Sequence, residues 1–258
     1  MLKIAKIFLY DEPTVSQIQL ERLVTFLKEI FLIEVEPRDS ILSISKEDTA
    51  QKIAACRILN PIKPYEKYKP TIDEILFEES NFIQGTNTEN IIMYDGFELQ
   101  KVLTELIPKE ETSINLLHIF FTNKLTCTYD YEDYRYHGRA LIGANPSIIS
   151  ITGIIEAPAK PREYYIDLIS HATQNTSIES IKQKYRGDFL EYNDSRLSKI
   201  IEGYLLQEIF YFETGEPFCD KKECRLYNAH WQKDLLYSQL ESRKLCEKHQ
   251  QVLKNLVI

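Results

Sequence analysis

Residues 215–231 read GEPFCDKKECRLYNAHW, and residues 245–249 read LCEKH. The two stretches hold two close pairs of metal-binding side chains: Cys219 and Cys224, then Cys246 and His249. Tetrahedral zinc is commonly bound by two such pairs, each supplied by one local turn and joined by the fold. Three cysteines and one histidine fill all four positions around the ion and leave none for water. The spacing therefore predicts one structural zinc ion that closes the C-terminal part of the chain.

The segment before the cysteines, residues 195–214, has the pattern of a helix that Gly215 can end. At 100° per residue, five apolar side chains share one face: Leu197, Ile201, Tyr204, Leu205 and Phe212. Glu208 falls in the middle of that face, where an unpaired charge is costly or has a raised pKa. We expect Glu208 to be buried and bonded to Arg139 or His137, although such a carboxylate can instead mark a functional cleft.

Strand-forming patterns lie mostly before residue 155, and helical patterns follow it. The predicted strands cover 4–10, 31–35, 90–94, 115–121, 137–142 and 147–151, with 115–121 as a central strand. The predicted helices cover 15–32, 46–59, part of 71–85, 96–106, 162–172, 177–186, 195–214, 229–243 and 246–256. The Tyr-rich stretch 129–136 is predicted to be a solvated loop or edge rather than core, and Thr176 with Glu179 fits a capping box.

These patterns predict an α+β fold, with an N-terminal mixed β-sheet and helices and a C-terminal helical part closed by zinc. We expect a single domain, with a sheet-containing part at 1–155 and a helical zinc-binding part at 156–258.

The amino-acid composition argues against some classes of function. The chain has 258 residues, 43% of them hydrophobic and 27% charged, which is ordinary for a globular protein. Its formal charge of −8 argues against a general nucleic-acid binder, whose affinity depends on a positive surface. No apolar run is long enough to cross a membrane, and free thiols beside a metal site favour a cytoplasmic protein. Phosphate-binding glycine loops and a serine-hydrolase elbow are missing from the sequence.

The order of Gly215, Cys219, Cys224, Leu226, Cys246 and His249 resembles the end of the archaemetzincin signature. That family of metallopeptidases carries H-E-x-x-H-x-x-G-x-x-H-C, then C-x-M, then C-x-x-C. It holds a catalytic zinc on three histidines and a second zinc on four cysteines. The local context, with residues 136–162, is also similar to an uncharacterised group of archaeal proteins assigned as metallopeptidases. The resemblance covers about 136–256 and implies a metzincin-like fold.

The chain departs from that signature where the catalytic zinc would bind. Aligned on Gly215, the three histidine positions hold Glu208, Phe212 and Phe218, and the general-base position holds Ile209. Phenylalanine cannot bind zinc, and a catalytic zinc needs three protein ligands and an open fourth position. The resemblance therefore implies a divergent or inactive peptidase, a pseudoenzyme in which Glu208 is the one candidate catalytic residue.

Two functions remain open from the sequence. The first is a metallopeptidase relative that binds a peptide or protein segment along a sheet edge near Glu208. The alternative is a zinc-stabilised protein-interaction module with no hydrolase ancestry. A relocated metal site on His137, Glu208 and His171 is a further possibility, since these side chains suit zinc. His118 is expected to be a core or edge-strand histidine, and Cys56 and Cys127 are expected to be buried thiols.

Overall fold

The apolar run LLHIFFT forms β4 (Leu116–Thr122), which lies in the middle of a five-stranded sheet as the sequence predicted. The computed structural model describes residues 2–44, 48–82, 91–174 and 177–257. The strand order of the sheet is β2-β1-β4-β8-β7. Strands β1 (Lys6–Tyr10), β2 (Glu34–Arg38), β4 and β8 (Ser147–Ser150) run parallel, and β7 (Leu141–Ile142) forms an antiparallel edge.

A second sheet has three strands in the order β3-β5-β6: β3 (Met93–Asp95), β5 (Leu125–Asp130) and β6 (Arg135–Arg139). Strands β5 and β6 form an antiparallel hairpin with β6 at the edge of the sheet, which agrees with the prediction of a solvated loop or edge over 129–136. Tyr136 differs from that prediction, because it is buried and donates a hydrogen bond of 2.8 Å from its hydroxyl to Asp95. The chain turns at residues 131–134, where Tyr134 has a positive φ of 55°.

Four helices accompany the N-terminal strands: α1 (Leu20–Phe31), α2 (Thr49–Ala54), α3 (Ile72–Ser80) and α4 (Gly96–Thr104). Each was predicted, but the boundaries were too wide. The predicted strand at 31–35 lies later, because α1 includes Phe31 and ends at Leu32 in a left-handed conformation. The best capping box is on α3, where Thr71 and Glu74 bond each other's backbone N–H groups.

Among the described residues every strand ends by Ser150, and the elements that follow are helices joined by irregular segments. A short helix missed from the sequence, α5 (Ile151–Glu156), follows β8 directly, with the Ser150 side chain as its cap. The remaining helices are α6 (Arg162–Gln174), α7 (Ile178–Lys184), α8 (Leu197–Thr214), α9 (Gln232–Leu236), a π-helical turn (Tyr237–Ser242) and α10 (Glu247–Val257). Thr176 of the predicted capping box lies outside the described residues. None of the helices in the described ranges is long and apolar enough to span a membrane.

Helix α8 is buried on nearly all sides, which corrects the expectation of one apolar face. Leu206, Ile209 and Phe210 are as deeply buried as the predicted core positions, while Phe212 is only half-buried. The helix shares one hydrophobic core with α1, with one face of the large sheet and with the cysteine segments. A helix that is apolar all round fits the centre of a fold. Helix α8 therefore connects the sheet to the C-terminal part.

Candidate metal centre and adjoining cleft

The structure brings the four predicted metal-binding side chains together. Their ligand atoms, three Sγ and one histidine nitrogen, all lie within 4.8 Å of one another. Cys219 and Cys224 lie on the chain that leaves α8. This chain folds back on itself through a hydrogen bond of 2.8 Å from the Cys219 N–H to the Leu226 carbonyl. Cys246 comes immediately before α10 and His249 lies in its first turn, so one helix start supplies the second pair.

The distances within the group fit a tetrahedral ion. With Zn–S near 2.3 Å and Zn–N near 2.0 Å, the edges of a tetrahedron are about 3.8 Å for S–S and about 3.5 Å for S–N. The Cys219–Cys246 sulfur distance is 3.8 Å, and Cys224 Sγ lies 3.6 Å from His249 Nδ1. Cys246 Sγ is closer to His249 Nδ1, at 3.1 Å. All five cysteines of the chain are free thiols, so no disulfide competes for these sulfurs.

Backbone N–H groups around the metal group can stabilise cysteine thiolates. The N–H groups of Cys246 and Lys221 each point at a sulfur, Cys224 Sγ and Cys219 Sγ respectively, at 3.4 Å. Burial raises the pKa of the Cys224 thiol to about 12, so a proton rather than a free charge remains there without a cation. Burial lowers the pKa of His249, which favours the neutral imidazole that binds metals. Metal binding at this group therefore releases protons.

The metal group is tied to α8 from two sides. The His249 ring lies edge-on to the Phe210 ring, with centroids 5.7 Å apart. Arg225, next to Cys224, is buried and donates to Glu202 of α8 at 3.2 Å, and Arg22 of α1 donates to the other oxygen of Glu202 at 2.8 Å. The positions of the four metal-binding residues are therefore coupled to helix α8.

Glu208 lies on α8 and its side chain has no exposed surface. Among the residues that the structure describes, no group meets hydrogen-bond geometry with either carboxyl oxygen. Burial raises the pKa of Glu208 to about 8, and the nearby backbone N–H of Ala144 offsets a small part of that rise. The predicted burial is therefore observed, but the predicted basic partner is wrong. Arg139 donates from Nε to Thr128 Oγ1 at 2.8 Å, and His137 faces Asp133 at 2.9 Å.

A cleft of about 500 Å³ lies beside Glu208. One wall is the continuous run of residues 138–143, from the end of β6 through β7. The other wall consists of α8 and the cysteine-bearing segment: Tyr204, Gln207, Tyr211, Pro217, Phe218 and residues 227–230. The Glu208 side chain reaches the first wall, because a Cβ added at Gly143 would be 3.2 Å from its Oε2. Residues 137–142 were predicted as a strand, with Arg139 or His137 near Glu208; the position of this run in a cleft wall depends on contacts distant in the sequence.

Within the described ranges, the residues aligned with the three histidines form no metal-binding group at the end of α8. Phe218 lines the cleft and is 46% exposed, Phe212 is half-buried, and Ile209 is fully buried in the core. The relocated site on His137, Glu208 and His171 is also wrong, because these residues do not form a group among those that the structure describes. A second possible metal group, missed from the sequence, is Asp130, Asp133 and His137 on the β5–β6 hairpin. There Arg135 already forms an ion pair with Asp133 at 2.6 Å.

The other residues considered from the sequence have structural surroundings. His118 is buried in β4, where Nδ1 lies 3.0 Å from the Tyr10 hydroxyl and Nε2 lies 2.9 Å from the Glu111 carbonyl. Cys56 and Cys127 are buried thiols, and burial raises the pKa of Cys127 to about 12. A protonated, buried thiol is a poor nucleophile, as expected for these two cysteines.

Comparison with known proteins gives one family. Residues 3–256 match the model of a family described as a probable metallopeptidase family (DUF6775). No curated protein matches the chain. Among solved structures, the chain is similar to a zinc-dependent peptidase from Methanocorpusculum labreanum, with 12% identity and a TM-score of 0.43. That similarity covers 96% of this chain and 99% of the other. At this TM-score the likeness carries no argument about function.

Proposed function

Because this chain belongs to a probable metallopeptidase family, we propose that it is a divergent member of archaemetzincin type whose cleft binds an extended peptide without zinc-dependent hydrolysis. One zinc ion at Cys219, Cys224, Cys246 and His249 has a structural role. Family membership favours this proposal over an interaction module without hydrolase ancestry.

The cleft itself is the observation that carries the proposal. Its wall at 138–143 comes from edge strands of the two sheets. Strand β6 is the edge of the three-stranded sheet, and β7 is an edge of the five-stranded sheet. An end strand has backbone N–H and C=O groups on its outer side that no neighbouring strand uses. An extended peptide can pair with such an edge as an added strand, with its side chains held alternately on the two faces. The wall therefore has the form of a peptide-binding edge.

Aromatic side chains on the opposite wall support a peptide ligand. Tyr211 and Phe218 line the cleft and are 39% and 46% exposed, and Phe97 at the cleft margin is 53% exposed. Exposed aromatic side chains offer a large contact area with little entropy to lose, and they dominate many protein interfaces. Their position opposite a strand edge gives a bound peptide both backbone and side-chain contacts.

The metal group helps to shape this cleft. Phe218 directly precedes Cys219, and residues 227–230 follow Cys224 closely in the chain. The bridge between Cys219 and Tyr227 holds the two stretches side by side. A zinc ion on the two cysteines would therefore fix the outer wall of the cleft, a structural contribution to peptide binding rather than a catalytic one.

Two features argue against hydrolysis by zinc. The four residues of the metal group fill the coordination of the ion, which leaves no position for an activated water. At pH 7 the Glu208 carboxyl is mostly protonated, because its pKa is raised to about 8, and it is fully buried and not among the residues that line the cleft. A buried, protonated carboxyl group is a poor general base for water.

Reduced casein labelled with rhodamine tests both parts of the proposal, by anisotropy for binding and by gel electrophoresis for cleavage. We expect binding without cleavage. Gly143→Ala should weaken binding, because its methyl group would lie 3.0 Å from the Tyr211 ring and press the wall into the cleft. Ile114→Ala is the control, since Ile114 is exposed and does not line the cleft. Chelator-sensitive cleavage, or equal binding by both variants, would contradict the proposal.

A further inference from the structure

Arg139 is an unpaired cation in the wall of the cleft. Its side chain is half-buried, and its Nε is held by the Thr128 hydroxyl at 2.8 Å. Within the described ranges no carboxylate lies within ion-pairing distance of its guanidinium group. The two terminal nitrogens therefore keep their donors for another acceptor. Most other arginines in this structure are paired, as Arg38 is with Glu111 and Arg57 with Glu78.

The charge of the cleft differs from that of the whole protein. The chain has 39 acidic and 31 basic residues, yet no Asp or Glu is among the described residues that line the cleft. Arg139 lies on one wall and the exposed His230 on the other. The buried carboxyl group of Glu208, next to Gly143, is mostly neutral at pH 7 because burial raises its pKa to about 8. Arg139 attracts an anionic group to the cleft, whereas the net negative charge of the protein repels anions from the rest of the surface. This difference favours binding of an anionic group in the cleft.

We propose that the cleft selects peptides that carry a carboxylate, and that Arg139 binds this carboxylate. This inference rests on the proposed function as a peptide-binding cleft. A guanidinium group whose Nε is already fixed presents its two terminal nitrogens in one orientation, which suits the two oxygens of a carboxylate. The carboxylate can be the C-terminus of the peptide or an acidic side chain, since both offer the same pair of oxygens.

Three matched peptides of about eight uncharged residues, each with a net-neutral rhodamine label, separate these two sources. The first has a free C-terminal carboxylate, the second is amidated, and the third is amidated but contains one glutamate. Anisotropy titrations of the wild-type protein at low salt should give tighter binding for the first or third peptide than for the second, by roughly tenfold or more, as expected for a charge-assisted hydrogen bond.

Variants assign the preference to Arg139. Arg139→Gln should remove the advantage of the carboxylate peptides, so that all three peptides bind with similar affinity. Arg139→Lys should retain part of the advantage, because it keeps the charge but not the two parallel donors. Arg135→Gln is the matched control: this arginine is on the same strand, is exposed, pairs with Asp133 and does not line the cleft. Melting temperatures check that each variant is folded.

The outcomes distinguish the inference from the function on which it rests. Equal binding of all three peptides by the wild-type protein would overturn the carboxylate site and leave the peptide-binding cleft intact. The same holds if Arg135→Gln reduces the preference as much as Arg139→Gln. If no peptide binds the wild-type protein, the proposed function fails and the carboxylate site fails with it. The comparison of free and amidated peptides needs no variant, so poor folding of Arg139→Gln cannot hide the result.

Discussion

Replacement of Glu208 by glutamine should stabilise the protein at high pH and leave its stability nearly unchanged at low pH. Glutamine has the shape of a protonated glutamate but cannot ionise. Glu208 has no exposed surface, and in the described part of the chain no group meets hydrogen-bond geometry with its oxygens. The folded protein therefore holds this carboxyl group in its neutral form at a pH where the unfolded chain would release the proton.

The size of the effect follows from the pKa. Burial raises the pKa of Glu208 from an ordinary 4.5 to about 8. Below pH 4.5 both states are protonated, and the group has no influence on stability. Between pH 4.5 and 8 the unfolded state loses the proton and the folded state keeps it, so stability falls as the pH rises. The difference of about 3.5 pH units, at 1.36 kcal/mol each, gives an upper value of about 5 kcal/mol. Above pH 8 the loss is complete.

Urea unfolding of wild-type and Glu208→Gln protein, at several pH values from 4.5 to 8.5, measures this effect. The other titrating groups cancel in the difference between the two proteins. We expect that difference to grow by a few kcal/mol in favour of the variant as the pH rises. Glu202→Gln is the control on the same helix, because Glu202 is as deeply buried but paired with Arg22 and Arg225. It should destabilise the protein by about 3–5 kcal/mol. A pH-independent difference for Glu208→Gln would refute the reasoning.

The remaining predictions concern the metal and the cleft. Cys224→Ser should lose zinc and a large part of the folding free energy, since structural zinc contributes on the order of 10 kcal/mol. Cys127→Ser, the control, should keep the metal. Elemental analysis measures the zinc content and thermal melting measures the stability. Acidification from pH 7 to 5 should release zinc, because protons compete for the thiolates and His249; a chromogenic chelator measures the release. The zinc-loaded protein should leave casein intact on gels, and chelator-sensitive cleavage that Glu208→Gln abolishes would contradict this.

The sequence predicted the parts of the site that depend on local spacing. Cys219 with Cys224, and Cys246 with His249, are each close in the chain, so one turn can present each pair. The central strand β4 was predicted for the same reason, because its apolar run is continuous. A sequence pattern predicts local structure well when that structure does not depend on contacts with residues distant in the chain.

The sequence could not predict the features that depend on distant contacts. The hairpin of β5 and β6 is polar in sequence, and its burial depends on Tyr136 reaching Asp95, 41 residues away. The predicted partner of Glu208 was wrong for the same reason. Arg139 and His137 were expected to lie near Glu208, but each bonds to a polar side chain of its own hairpin. The cleft wall at 138–143 also appears only when α8 and the cysteine-bearing segment pack opposite it.

The zinc content of the purified protein tests the central claim most directly. Elemental analysis of the wild-type protein, after dialysis against a weak chelator, gives the number of tightly bound ions per chain. One zinc ion per chain, lost in Cys224→Ser, is the result that a filled Cys3His site and a degenerate catalytic motif predict. Two tightly bound zinc ions per chain, with one retained in Cys224→Ser, would show a second metal site and contradict the account.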